Sequence, residues 1–170
     1  MKLKYSAAII CLALSPALVS AEPEAGDGLF ALTGTGSSDN EFDNNVAAVS
    51  FDVGKFFSDN LAAGLRQSFG FADSENNSSW SGASRGFVDY HFDGGSWQPF
   101  VGANLGGIYG DDVDETFFAG PEAGVKYYVR EKTYITVQME YQVFFDSASD
   151  ADDNFDDGAF AYSAGIGYNF

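Results

Sequence analysis

The sequence predicts an all-β fold, an eight-stranded antiparallel up-and-down barrel that crosses a bilayer. Three observations predict it. Apolar and polar residues alternate with a period of two again and again, and no window holds a convincing 3.6-residue repeat. The alternating stretches run ten to fourteen residues, close to the ~9–11 a tilted strand needs to cross a membrane. Tight turns and longer polar loops alternate between them, as they do at the two ends of a transmembrane barrel.

The chain opens with a targeting segment. Lys2 and Lys4 make a basic start, an apolar stretch runs from Ala7 to about Val19, and Val19-Ser20-Ala21 offers small residues for cleavage. That order reads as a secretory signal peptide over 1–21, followed by a short segment 22–27 and the barrel over 28–170. Strand one (28–37) leads through a polar loop at about 38–45 to strand two (46–57). Ser58-Asp59-Asn60 turns tightly into strand three (61–72), and a polar loop at 73–79 precedes strand four (80–92). Asp93 to Ser96 is a second tight turn, before strand five (97–109). A loop at 110–115 leads to strand six (116–129), and Arg130 to Lys132 turns into strand seven (133–145). The loop 146–158 then precedes strand eight (159–170). An even count puts both termini on the short-turn side.

Parity identifies the solvent on each face. Strand seven sets Ile135, Val137, Met139, Tyr141, Val143 and Phe145 against Tyr134, Thr136, Gln138, Glu140, Gln142 and Phe144. Strand six likewise opposes Phe117, Val125 and Tyr127 to Glu122 and Lys126, and strand four opposes Val88 and Tyr90 to Arg85, Asp89 and His91. A soluble barrel would bury the apolar face, and a membrane barrel would expose it. Gly102, Gly106, Gly120, Gly124, Gly165 and Gly167 all fall on the polar face. Glycine weakens strands, so its repetition there suggests room made for long ionic neighbours inside. The membrane barrel is therefore the better reading, and acids and bases on neighbouring strands are expected to pair within it. Aromatic residues agree, with Tyr90, Phe92, Trp97, Tyr127, Tyr168 and Phe170 near the turn end. Phe69, Phe71, Trp80, Tyr109, Phe117, Phe145 and Phe160 lie near the loop end, giving two interfacial girdles.

Charge narrows the function. The formal net charge is −17, and loss of Lys2 and Lys4 with the signal takes it to −19, which argues against nucleic acid as a partner. Aromatic content of 16% argues against disorder. Cys11 is the only cysteine and lies in the signal, so the mature chain is expected to hold together without disulfides. No phosphate loop, metal-ligand cluster or nucleophile elbow is present, and no cofactor is expected.

The pattern resembles the small eight-stranded outer-membrane barrels, the OmpX and OmpA membrane-domain type. The resemblance covers 28–170, and its most specific piece is the ending, Ile166, Tyr168 and Phe170. In that family a terminal Phe behind alternating apolar residues is read by the barrel-assembly machinery, which would make these three the assembly signal. The resemblance also implies a Gram-negative outer membrane as location, with its lipid and lipopolysaccharide as surroundings and a monomeric barrel. No peptidoglycan-binding domain follows Phe170, so wall anchoring is not expected.

Three groups of residues are candidates for function. Arg66, Arg85, Asp89, Glu122, Lys126 and Glu140 face inward by parity, either as a gate on a narrow ion path, as discussed for OmpA-like barrels, or as a satisfied core that closes the bore. The latter is the expected one. The long loops are rich in acid and contain no lysine or arginine, which suits cations and bridges to lipopolysaccharide phosphates through divalent ions. Within them Asp152, Asn154 and Asp156 have the alternating spacing of a calcium loop, but Asp157 stands where its sharp turn wants Gly. This is a weak metal candidate, and no metal is expected. Lipid A-modifying barrel enzymes are the third comparison. His91 is the only histidine, and Asp93 rather than Ser lies two beyond it, so no catalytic residue is assigned and no enzyme is expected. The sequence thus predicts an integral outer-membrane barrel with a structural or surface-interaction role. A low-conductance, cation-preferring pore is the alternative, and an adhesin is a more distant one.

Overall fold

The computed structural model describes residues 23–38, 44–74, 77–110, 116–145 and 158–170. Its strands are β1 (Gly28–Ser38), β2 (Asn44–Phe56), β3 (Leu61–Ser74), β4 (Asn77–His91), β5 (Trp97–Gly110), β6 (Thr116–Arg130), β7 (Thr133–Phe145) and β8 (Ala159–Asn169). Each pairs antiparallel with the next, and β8 returns to β1 to close the barrel. Closure gives every strand a neighbour on both sides, which is what a sheet surrounded by hydrocarbon requires. The last residue takes part: Gly28 N donates to Phe170 O at 2.7 Å, and Phe170 N donates to Gly28 O at 2.9 Å.

Alternation sorts most side chains as parity predicts, although Val143, expected on the exposed apolar face, is 6% exposed. Outside, Leu65 is 72% exposed and Val137 53% exposed. Inside, Asp52, Arg66, Asp89, Glu122, Lys126 and Glu140 are all buried. A polar interior within an apolar wall is the arrangement of a barrel that spans a bilayer. Rings hold both rims: Trp97 packs on Tyr127 at the turn end, and Phe117 stacks with Phe145 at the loop end.

Two expectations are corrected. The stretch 73–79 is not a long loop, because Asp73 pairs with Ser78 and Ser74 with Asn77. The sequence reading ended both strands where apolar residues stop, but a ladder above the outer girdle needs only backbone partners. The inner glycines, in turn, do not serve long ions alone. A Cβ at Gly106 would meet Arg85, and one at Gly102 would meet Asp89. At Gly124 and Gly167 it would strike the rings of Phe100 and Tyr134, and at Gly120 and Gly165 the backbone of the neighbouring strand. A narrow bore filled with rings needs glycine opposite them as much as it does opposite charge.

The short turns are tied to each other. Asn60 donates its amide to His91 O at 2.9 Å and to Asp93 Oδ1 at 3.0 Å. Gly95 adopts φ 64° in the β4–β5 turn, a left-handed conformation that costs glycine nothing.

Candidate functional site

The bore is built in layers, and the ionic layer is set by register. Asp52 pairs with Arg66 across β2–β3, Arg66 with Arg85 across β3–β4, and Glu122 with Glu140 across β6–β7. Two bases therefore stand side by side on one wall and two acids on another. Like charges directly opposite in a ladder repel, so both pairs need partners from across the bore.

They find them. Arg66 forks onto Glu122, with Nη1–Oε2 at 3.0 Å and Nη2–Oε1 at 3.3 Å. Its Nε lies 3.0 Å from Asp52 Oδ2, and its Nη1 lies 3.5 Å from Glu140 Oε2. Arg85 Nη1 donates to Glu140 Oε1 at 2.7 Å. The expectation that ions pair between neighbouring strands thus holds for Asp52–Arg66 alone among these contacts. The Arg–Glu pairs span the bore, because eight strands leave opposite walls within side-chain reach.

Neutral groups complete the layer. Asn104 donates to Glu122 Oε2 at 2.6 Å and to Glu140 Oε2 at 3.4 Å, and Gln142 donates to Glu140 Oε1. The Arg66 guanidinium lies 5.1 Å from the Phe87 ring and that of Arg85 5.6 Å from Phe118, a favourable contact for a desolvated cation. Asn104 and Gln142 were not singled out by the sequence reading. Their inward parity was the available signal, but it does not say which acid an amide will reach.

Lys126 and Asp89 lie nearer the turn end. Among the described residues Lys126 makes no ion pair. Its Nζ is caged by Tyr134, Phe56 and Phe100, at 4.8, 5.6 and 5.7 Å from the ring centres. A small cavity of about 10 Å3 touches both Asp89 and Lys126. The floor below is aromatic: His91 is 1% exposed and packs between Phe56 and Phe100. Tyr128 packs on Tyr134 and accepts a hydrogen bond from Asn169 at 2.8 Å. At the opposite, loop end the bore widens into a cup of about 240 Å3 whose floor is the Arg85–Glu140 pair.

The other predicted positions separate from this site. Ile166, Tyr168 and Phe170 all lie on the outer face, exposed. Asp152, Asn154 and Asp156 lie outside the described residues. Among the described residues no group of three potential ligands could hold a metal. One feature had no warning in the sequence. Gln67, Ser84 and Tyr109 carry polar groups on the outer wall, where Ser84 Oγ donates to Gln67 Oε1 at 2.5 Å and Gln67 Nε2 donates to the Tyr109 hydroxyl at 2.8 Å.

No family model matches the chain, and no curated protein matches its sequence. Its fold is similar to that of the N-terminal β-barrel domain of Pseudomonas aeruginosa OprF. The two are 20% identical with a TM-score of 0.57, and the match covers 86% of this chain and 98% of that one. It is also similar to the outer membrane protein OprG from Pseudomonas aeruginosa. There the identity is 13% and the TM-score 0.59, over 89% of this chain and 99% of that one.

Proposed function

We propose that this chain is an integral protein of a Gram-negative outer membrane, with a bore closed by its own side chains and its work done as structure or at the cell surface. The observation that carries the reading is the ionic layer. Arg66, Glu122 and Glu140 are each no more than 3% exposed, and their charges are spent on one another across the bore. Beside them a cavity of about 10 Å3 lies among the Phe87, Phe100 and Tyr134 rings. A hydrated ion would have to break several short contacts in sequence to pass. In this reading no residue is catalytic, and His91 serves as packing between two rings. Ile166, Tyr168 and Phe170 act before all this, as the strand ending that the assembly machinery recognises. The acidic loops meet lipopolysaccharide through divalent cations.

A second reading, the low-conductance cation-preferring pore, is favoured by the cup that leads down to the Arg85–Glu140 pair. Single-channel recording in planar bilayers separates the two, after a gel shift on heating has shown a folded barrel. The closed-bore reading expects silence from folded wild type, and Arg85→Met or Glu122→Gln variants that lose stability without gaining current. Reproducible openings in wild type that prefer cations, enlarged by either substitution, would establish the pore instead.

A further inference from the structure

We infer that the cup at the loop end of the bore is a binding site for a small neutral polyhydroxylated solute, of monosaccharide size or below. The inference goes beyond the closed-bore reading and does not depend on it, since a cup can hold a ligand whether or not ions pass beneath it.

The chemistry of the floor disfavours charged ligands. Glu140 Oε1 already accepts from Arg85 and Gln142, and Oε2 accepts from Asn104 beside Arg66. No carboxylate oxygen is left to strip water from an incoming cation. Arg85 gives Nη1 to Glu140 and, at 3.4 Å, Nη2 to Ser68 Oγ, and its Nε, which has no partner among the described residues, is buried. An anion or a cation entering the cup would lose hydration and meet only charges already paired with each other.

The wall offers the opposite. Thr35, Ser81 and Ser163 line the cup, and their hydroxyls make no hydrogen bond to another described residue. A hydroxyl donates once and accepts twice and rotates to suit its partner, so a ring of hydroxyls matches a ligand made of hydroxyls. Ile108, Ala48 and Ala83 give the same wall short apolar stretches for the carbon face of such a molecule. Size sets the upper limit. The 240 Å3 cup is smaller than the ~300–1,000 Å3 of sites for drug-sized ligands.

The test uses isotope-labelled protein folded in detergent micelles, titrated with glucose and separately with gluconate, which keeps the hydroxyls but adds a carboxylate. Glucose is expected to shift the amide signals of Ser81, Gln142 and Ser163 along saturable curves, and gluconate to leave them in place. A Ser81→Ala, Ser163→Ala variant touches no ion pair and keeps the heat-modifiable fold. It should weaken glucose binding about tenfold, as the loss of one or two hydrogen bonds implies. Linear shifts without saturation would overturn the site, and an unchanged affinity in the variant would overturn its hydroxyl chemistry. An equal response to gluconate would overturn the preference for neutral ligands.

Discussion

Arg66 and Arg85 occupy the same rung on neighbouring strands, yet they do not carry the same load. Arg66 reaches three carboxylates, Asp52, Glu122 and Glu140, while Arg85 reaches Glu140. Removing one partner of a buried pair costs about 3–5 kcal/mol, mostly because the other charge is left without compensation. Arg66→Met leaves Asp52 and Glu122 without a cation, while Glu140 keeps Arg85, and should fall in that range. Arg85→Met strands no acid, relieves the repulsion of its neighbour, and leaves Glu140 with Arg66, Asn104 and Gln142, so it should cost less than half as much. Urea unfolding of both variants in lipid vesicles measures the difference. Equal losses would mean that the two guanidiniums act as one undivided network. The inward position of each charge was readable from parity, but the partner was not. Arg66 and Glu122 lie on β3 and β6, and their meeting depends on how a closed sheet staggers its strands. A local alternation does not report that stagger.

At the scale of the strand, the outer wall of β3, β4 and β5 breaks the apolar rule and mends it within itself. Gln67 stands opposite Ser84, the Tyr109 ring lies over Gly82, and the Tyr109 hydroxyl comes within 3.2 Å of Ser84 Oγ and 2.8 Å of Gln67 Nε2. Gln67 also gives a hydrogen bond to Ser68 O at 3.1 Å. An amide facing hydrocarbon is tolerated when its donors and acceptor are met. Ser84→Ala should therefore cost about 1–3 kcal/mol, the penalty for leaving the Gln67 carbonyl without a donor. Adding Gln67→Leu should recover most of that loss, because both polar partners are then gone. Unfolding midpoints of the single and double variants check it, and a double variant worse than the single would show that the amide contributes beyond its bond to Ser84. The strands themselves were legible because period two survives in nearly every one of them. Their ends were legible only where composition changes, which is why Asp73 to Ser79 read as loop although the ladder runs on to Ser74 and Asn77. The three polar groups outside are not legible as a unit in the sequence because the residues that bond lie on three different strands.

The whole barrel depends on one seam that joins its two ends. β3 and β4 are in register from Leu61–Tyr90 to Ser74–Asn77, whereas β1 and β8 pair only from Leu29–Asn169 to Gly34–Ala164. Beyond those pairs the seam is extended at the turn end by the Gly28–Phe170 exchange and by the Phe170 ring lying over Gly28. The loop-end half of β8 pairs with β7 alone among the described strands, as from Gln138–Ser163 to Gln142–Ala159. Opening free energy follows the local number of protected hydrogen bonds and packed contacts, so this seam should open first. Native-state hydrogen exchange in lipid should show the amides of Phe30 to Gly34 and Ala164 to Tyr168 exchanging ahead of those in the middle of β3 and β4. Deleting Phe170 removes the exchange with Gly28 and the ring above it. It should accelerate exchange along the seam while leaving β3 and β4 protected on the old timescale. Uniform acceleration through all eight strands would instead show that closure is cooperative with the whole sheet, and that the barrel has no seam to open separately.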